Sequence, residues 1–474
     1  MKTAPYQKPL VLAIVVVLML VVLSFVPAFR VGNFSFRTVN ALFFLDNDDD
    51  SPTLAEATDD STSSVADTLS PGGNEAVVSE DSVSAAVPGI GACADGLTCM
   101  EDFTPDKTGI HQFLKAISEL KSKKRKSSVR IAFYGDSFIE GDIFCGSVRD
   151  TLQTLFGGRG VGYVPITSHV VGFRNTVKQQ FGNWKTYSII NKPDSGANFE
   201  MGPAGYSFIP LADNWAEFTS SRQRYLRQFE SLRIYYRNRG TSFLHYTLDD
   251  TLYRVAELKK SQRLREWKKE KIKARRIELE FEDVDSLEVY GVSFEGEPGV
   301  YVDNFGMRGN SGIGLYSISP QMFKAFNRYR DYKLIILQYG LNAINFDSSR
   351  YAWYGDRMVT VINRLKEVFP KASIVLLSVS DRSSNVNGRY RTEKTIPTLR
   401  DTQRRIAQKT GIVFWDLYEA MGGENSMVKF VRSTPALAAK DYTHLTFKGG
   451  KKLAGELVGS ILFELEKYEQ QELP

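Results

Sequence analysis

Gly135, Asp136 and Ser137 follow directly on an apolar run, residues 129–134 (VRIAFY). Such a run reads as a short buried strand, and a sharp turn at its end can present a serine hydroxyl at the carboxyl edge of a sheet, where open α/β sheets build their sites. A serine hydroxyl is a poor nucleophile at neutral pH until a base takes its proton, so this chemistry asks for a histidine elsewhere in the chain. Four are present: His111, His169, His245 and His444. His444 stands in DYTHLTFKGG, residues 441–450, three positions after Asp441. That spacing puts both side chains on one side of a single turn. A carboxylate there holds the imidazole tautomer and stabilises its cation, leaving the second ring nitrogen for Ser137. His111 falls on the first helix and reads as a solvated or capping residue, and His169 and His245, in or near a β-rich stretch, read as ordinary polar residues.

Acyl transfer also needs donors aimed at the developing oxyanion. Asn342, in QYGLNA (residues 338–343), ends an apolar run, so its amide can project over the same edge as Ser137. Gly309, in DNFGMRGNSGIG (residues 303–314), can offer a backbone N–H from a turn that only glycine allows so close an approach. The glycines at 158, 160 and 162 follow a helical stretch rather than a strand, which excludes a dinucleotide loop.

These residues resemble the SGNH/GDSL hydrolase family, whose pattern is a Ser in GDS, a Gly, an Asn in G-x-N-D and a His in D-x-x-H. They fall here on Ser137, Gly309, Asn342 and His444, with Asp441 as the triad acid. The resemblance spans residues 129–171 and 303–465; it departs at Ala343, where the family often has an Asp that supports the loop. The longer text GDSFIEGD, GGRGVGYVP and DNFGMRGNSG is similar to the cell-envelope branch of that family. The resemblance implies a three-layer α/β/α parallel sheet with an inserted, sandwich-like β domain. It also implies a catalytic triad of Ser137, His444 and Asp441, and an oxyanion hole of Ser137, Gly309 and Asn342. The implied activity is removal of acetyl groups from peptidoglycan or exopolysaccharide. Two other readings stand beside it: an O-acetyltransferase on the same glycans, working with a membrane-bound acyltransferase, and a glycan-binding envelope tether without catalysis. No cofactor or metal is called for, because three cysteines are too few for a structural zinc site.

The elements that must position these residues can be read from apolar periodicity. Residues 108–121 place Ile110, Phe113, Leu114, Ile117 and Leu120 on one helical face. Buried strands are expected at 129–134, 334–340, 373–380 and 412–418, separated by helices such as 358–368 and 396–410, with a closing helix at 451–468. This alternation predicts a parallel sheet covered on both faces. Residues 276–302 alternate apolar and polar positions instead, the mark of antiparallel strands, so residues 172–302 are expected to form a β-rich insertion between catalytic segments 104–171 and 303–474.

Residues 10–29 carry no charge and have the length of a transmembrane helix, so residues 1–30 are expected to be a single-pass signal-anchor that places the rest in the periplasm or at the cell surface. Residues 46–82 hold eleven Asp and Glu and no Lys or Arg, and residues 31–103 read as an acidic disordered linker. The net charge of +5 hides an opposite cluster: residues 259–276 hold ten Lys and Arg and read as a solvated helix or loop. Aromatic residues are almost absent from that cluster, which argues against nucleic-acid binding and leaves anionic glycan or headgroup contact as its functional option. Cys93 and Cys99 can pair in an exported protein, whereas Cys145 beside Ile143 and Phe144 reads as an apolar core residue.

Overall fold

The computed structural model describes residues 29–31, 34–36, 96–191, 199–344 and 348–472. The chain divides into two units, residues 1–72 and 73–474. In the first, strands Phe29–Val31 and Phe34–Phe36 pair antiparallel. The expected anchor at 10–29, except its last residue, and the acidic run at 46–82 lie outside the described residues. Among the described residues no helix is long and apolar enough to cross a membrane.

The second unit is built on a six-stranded sheet in the order Val300–Gly306, Val129–Gly135, Tyr332–Gln338, Ser373–Leu377, Val413–Trp415 and Met100–Asp102. The first five run parallel and the last antiparallel. Strand Val129–Gly135 is buried at six of its seven positions, as expected of a strand covered on both faces. One group of helices, His111–Lys121, Ile143–Phe156 and Phe447–Gln471, packs together on the sheet. A second group, Pro320–Arg330, Arg350–Val368 and Ile396–Thr410, packs as another layer. In Arg350–Val368 the buried positions Tyr351, Tyr354, Met358, Val361, Ile362 and Leu365 recur at helical spacing, which fixes the face turned to the sheet.

Five expectations need correction here. The chain joins the sheet at Met100, earlier than 104, because the fully buried Trp415 donates its indole N–H to Thr98 O (3.1 Å) and Cys99 is disulfide-bonded. Residues 412–418 do not form one strand: Asp416 accepts a hydrogen bond from Glu419 N (3.1 Å) and starts the short helix Leu417–Ala420, so only Val413–Trp415 is extended. The stretch 276–302 is not all antiparallel. Val300–Gly306 is buried at its first six positions and runs parallel to Val129–Gly135 as the sheet's edge strand.

The antiparallel strands therefore run from Gly162 to Phe294 rather than 172 to 302, and they form one continuous nine-stranded network. The long strand Tyr206–Ser220 pairs along one edge with Val177–Ser188; its other edge meets Arg276–Glu282 at one end and Leu287–Phe294 at the other. Phe208, Phe218, Leu232, Ile234, Leu279, Val289 and Phe294 belong to a core separate from that of the parallel sheet. The basic segment 259–276 is mostly the strand Ser261–Ala274, an edge strand paired with Phe229–Asn238, and not a helix or loop. Only Leu264, Ile272 and Ala274 of that strand are buried, and its exposed lysines are the kind of charge that keeps a free edge from pairing with another chain.

Buried ion pairs join the two sheets. Arg330 is clamped by Asp303 (Nε 3.0 Å, Nη2 2.6 Å) and donates to Tyr235 OH (2.9 Å) and to Glu295. Glu295 also takes Arg130 Nη2 at 2.7 Å. Burial works against the Glu295 carboxylate, but Arg330, Arg130 and Arg233 outweigh it and hold the group well below the usual range.

Candidate active site

Ser137 begins a four-residue helix, Ser137–Glu140, at the carboxyl end of strand Val129–Gly135. Asp136 is the N-cap: its carboxylate accepts from Phe138 N at 3.0 Å. The preceding glycine is required, since a Cβ on Gly135 would stand 2.2 Å from Ile139 Cγ1 and 2.9 Å from Gln338 O. The turn thus lies tightly over the neighbouring strand and lifts the Ser137 hydroxyl above the sheet edge.

The loop bearing Asp441 and His444 comes over the same edge. Ser137 Oγ is 3.0 Å from His444 Nε2, and His444 Nδ1 is 2.7 Å from Asp441 Oδ2. Asp441 Oδ1 also accepts from the backbone N–H groups of Thr443 (2.9 Å) and His444 (3.0 Å), which fixes carboxylate and ring in one frame. Burial tends to raise the Asp441 carboxyl, but the His444 side-chain and backbone hydrogen bonds prevail and hold it below its ordinary value. The loop is closed by Ala439 N donating to His444 O (2.8 Å), and Thr446 caps the last helix by accepting from Gly449 N (3.2 Å).

Two further loops meet at this edge. Asn342 lies in the turn Leu341–Ala343 after strand Tyr332–Gln338, and its Nδ2 donates to Asn310 O at 3.3 Å. Gly340 allows that turn with φ +143°, where a Cβ would collide with Val379 at 2.5 Å. Gly309 precedes Asn310 in the loop after Val300–Gly306; its φ of +76° favours glycine, and a Cβ there would meet only Ile190 Cδ1 at 3.6 Å. Both Leu341 N–H and the Asn342 side chain face Asp136. Burial pushes the Asp136 carboxyl up to about 7, against the Phe138 hydrogen bond and the nearby His444. Among the described residues no group meets its buried Oδ2 at full hydrogen-bonding geometry. Asp136 thus stands among the site residues as the buried cap of the Ser137 turn, a place for which its position in the GDS motif was the available signal.

The remaining histidines stand apart from Ser137 in their contacts. His111 packs edge-on against Tyr468 with ring centroids 5.1 Å apart, and His245 lies between Tyr253 OH and Glu282 (2.8 Å). His169 faces Glu140 across a cavity described below.

Residues 285–450 match the profile of the GDSL-like lipase/acylhydrolase family. The chain is similar to that family over this segment, which carries Gly309, Asn342, Asp441 and His444. It is an SGNH-type ester hydrolase with the α/β fold of that group. A solved structure of a peptidoglycan O-acetylesterase is similar to it with a TM-score of 0.61 and 18% identity, over 78% of this chain and 99% of that one. A family two carbohydrate esterase from Cellvibrio japonicus aligns at a TM-score of 0.25 and 10% identity, over 65% of this chain and 98% of that one. The salicylyl-acyltransferase SsfX3 aligns at 0.28 and 14%, over 64% and 97%. No curated protein sequence matches this SGNH hydrolase.

Proposed function

We propose that this SGNH hydrolase is a serine O-acetylesterase of cell-envelope carbohydrate, either peptidoglycan or an acetylated exopolysaccharide. The observation that carries the reading is the unbroken line of hydrogen-bonding distances from Ser137 Oγ through His444 to Asp441 at the carboxyl edge of the parallel sheet. In this reading Ser137 Oγ attacks the acetyl carbonyl while His444 Nε2 takes its proton, and Asp441 stabilises the imidazolium. The backbone N–H groups of Ser137 and Gly309 and the Asn342 amide receive the oxyanion. His444 then returns the proton to the departing sugar oxygen; water next attacks the acetyl-enzyme as His444 Nε2 takes its proton, and that proton passes to Ser137 Oγ as acetate leaves.

The peptidoglycan O-acetylesterase whose fold matches over nearly its whole length supports the choice of acetyl glycan as substrate. We further propose that residues 1–30 anchor the protein in a membrane with the catalytic domain outside the cytoplasm. The disulfide at Cys99 supports an oxidising compartment. Acetate release from O-acetylated glycan, measured with and without a free acceptor sugar, tests the activity. Stoichiometric acetate without acceptor supports hydrolysis, acetate transferred to the acceptor means a transferase, and no turnover of any acetyl ester defeats the reading.

A further inference from the structure

A cavity of about 180 Å³ lies between the antiparallel sheet and the edge of the parallel one. Among its lining residues are Glu140, His169, Arg174, Phe181, Trp184 and Tyr206. Glu140 is the last residue of the helix that Ser137 begins, so the cavity opens about one helical turn from the serine.

Its charge does not balance. Arg174 is only 6% exposed, and its Nε donates to Thr176 Oγ1 at 3.2 Å. Its Nη2 is buried with no hydrogen-bond partner among the described residues. The nearest carboxylate oxygen, Asp142 Oδ2, is 3.6 Å away and already accepts from Arg149 Nη1 (2.8 Å) and Thr176 Oγ1 (2.5 Å). Two guanidinium groups therefore share one carboxylate. Glu140, the acid that lines the cavity itself, is engaged by Arg308 Nε at 3.0 Å, and burial raises its pKa despite that partner. A buried donor left unpaired beside a surplus positive charge is costly to maintain, and an acceptor with negative charge would satisfy both needs.

The opposite wall supplies a different kind of contact. Phe181, Trp184 and Tyr206 are half-buried rather than sealed in a core. Trp184 is fixed by its N–H to Trp215 O (2.9 Å) and by edge-on packing against Phe281. Flat, half-exposed rings held rigid in a concave wall suit the apolar face of a pyranose, since they offer large contact area at little cost in conformational entropy.

We infer that this cavity is a subsite for a sugar ring carrying a carboxylate, which Arg174 receives while the acetylated part of the same chain lies at Ser137. The inference rests on the esterase reading above and narrows its substrate to an acidic glycan. The carboxylate can belong to a uronic acid, where it sits on the ring carbon, or to an ether-linked lactyl arm.

The test measures binding and turnover separately with the full chain. Calorimetry compares a deacetylated uronate tetrasaccharide, a tetrasaccharide with free lactyl carboxylates, and the carboxyl-reduced form of each. At least one carboxylated probe is expected to bind about tenfold more tightly than its reduced form, as for one charge-assisted hydrogen bond, and the better one identifies the source. Arg174→Met is expected to abolish that preference; Asp142 keeps Arg149 as a partner in this variant. Trp184→Ala, at a half-exposed position, is expected to weaken carboxylated and reduced probes alike. Equal binding of carboxylated and reduced sugars by the native protein overturns the inference, as does a preference that survives Arg174→Met or binding insensitive to Trp184→Ala. Native protein that cleaves acetyl esters yet shows no such preference would leave the esterase reading standing and remove only the subsite.

Discussion

Tyr390 lies flat on Tyr442, with ring centroids 3.6 Å apart and planes within 5° of parallel. Tyr442 is the residue next to Asp441 and holds φ +55°, a strained value for a tyrosine. Its carbonyl accepts from Ser383 N at 3.1 Å. The small hairpin of strands Ser383–Val386 and Arg389–Thr392 therefore grips the loop that carries Asp441 and His444. Tyr390→Ala is expected to lower kcat about tenfold to a hundredfold, since misplacing a reacting group by an ångström has effects of that order. Tyr390→Phe, which keeps the stacked ring, should restore most of it. Because Tyr390 is 36% exposed, the melting temperature should move little; a large drop in Tm with kcat unchanged would refute the positioning role.

Residues that act as one chemical unit do not contribute additively. Ser137→Ala and His444→Ala should each remove nearly all acetyl-ester turnover, and the double variant should be little worse than either. Asp441→Asn should retain the loop yet lose much of kcat, because the wrong imidazole tautomer would face Ser137. Additive losses in the double variant would mean that Ser137 and His444 act independently.

Asn342→Ala is expected to cost about a hundredfold to a thousandfold in kcat if its amide stabilises the oxyanion. KM on a small acetyl ester should change far less. A purely structural Asn342, holding Asn310 O, would instead lower stability and leave kcat per folded molecule intact.

Asp136 predicts a pH dependence of stability. Its native pKa of about 7 lies above the ordinary 3.8, so between these values the folded state holds the extra proton. The linkage then makes stability fall as pH rises from about 4 to 7, because ionising the buried carboxyl opposes the native state. Asp136→Asn stays neutral and its side-chain oxygen can still accept from Phe138 N. Thermal melts across that window should therefore show a shallower decline for the variant than for the native protein. Parallel curves would show that Asp136 ionises without penalty.

Asp142 joins four partners in the core: Arg149 (2.8 and 2.9 Å), Thr176 (2.5 Å), Asn304 Nδ2 (2.9 Å) and, at 3.6 Å, Arg174. Burial opposes its charge, but Arg149 and Arg174 outweigh that and hold the carboxyl far below the usual range. Removing one partner of such a buried pair costs about 3–5 kcal/mol, so Asp142→Ala should shift the urea midpoint strongly downward. A loss of unfolding free energy under about 1 kcal/mol, the value for exposed pairs, would contradict this role.

The legible parts of the chain were those where a single period or motif dominates. Helix Ile396–Thr410 and the strand beginning at Val129 follow from runs of apolar residues at one spacing. Ser137, Asp441 and His444 could be picked out because their neighbours, GDS and D-x-x-H, are local in sequence; the structure brings their side chains within hydrogen-bonding distance. The strand Ser261–Ala274 was obscured because only Leu264, Ile272 and Ala274 are buried, too few to reveal a period of two among so many charges. Val300–Gly306 was misplaced because an edge strand of a parallel sheet, fully buried for six residues, looks locally like the antiparallel strands before it. The cavity at Arg174 was invisible for another reason. Glu140, Arg174, Trp184 and Tyr206 are far apart in sequence and share no motif; only the packing of one sheet against the other brings them together.

The first and last strands of the antiparallel unit are hydrogen-bonded to each other, with Gly162 opposite Phe294 and Val164 opposite Val292. The chain thus leaves the parallel sheet and returns to it across a gap about one strand spacing wide, near 4.8 Å. A short turn could bridge that gap, so the unit has the architecture of a cassette. Exchanging it for a differently shaped one would alter which polymer is presented to Ser137 and would leave the order of the five parallel strands untouched. Substrate range and bond-breaking apparatus can therefore diverge independently in descendants of this gene.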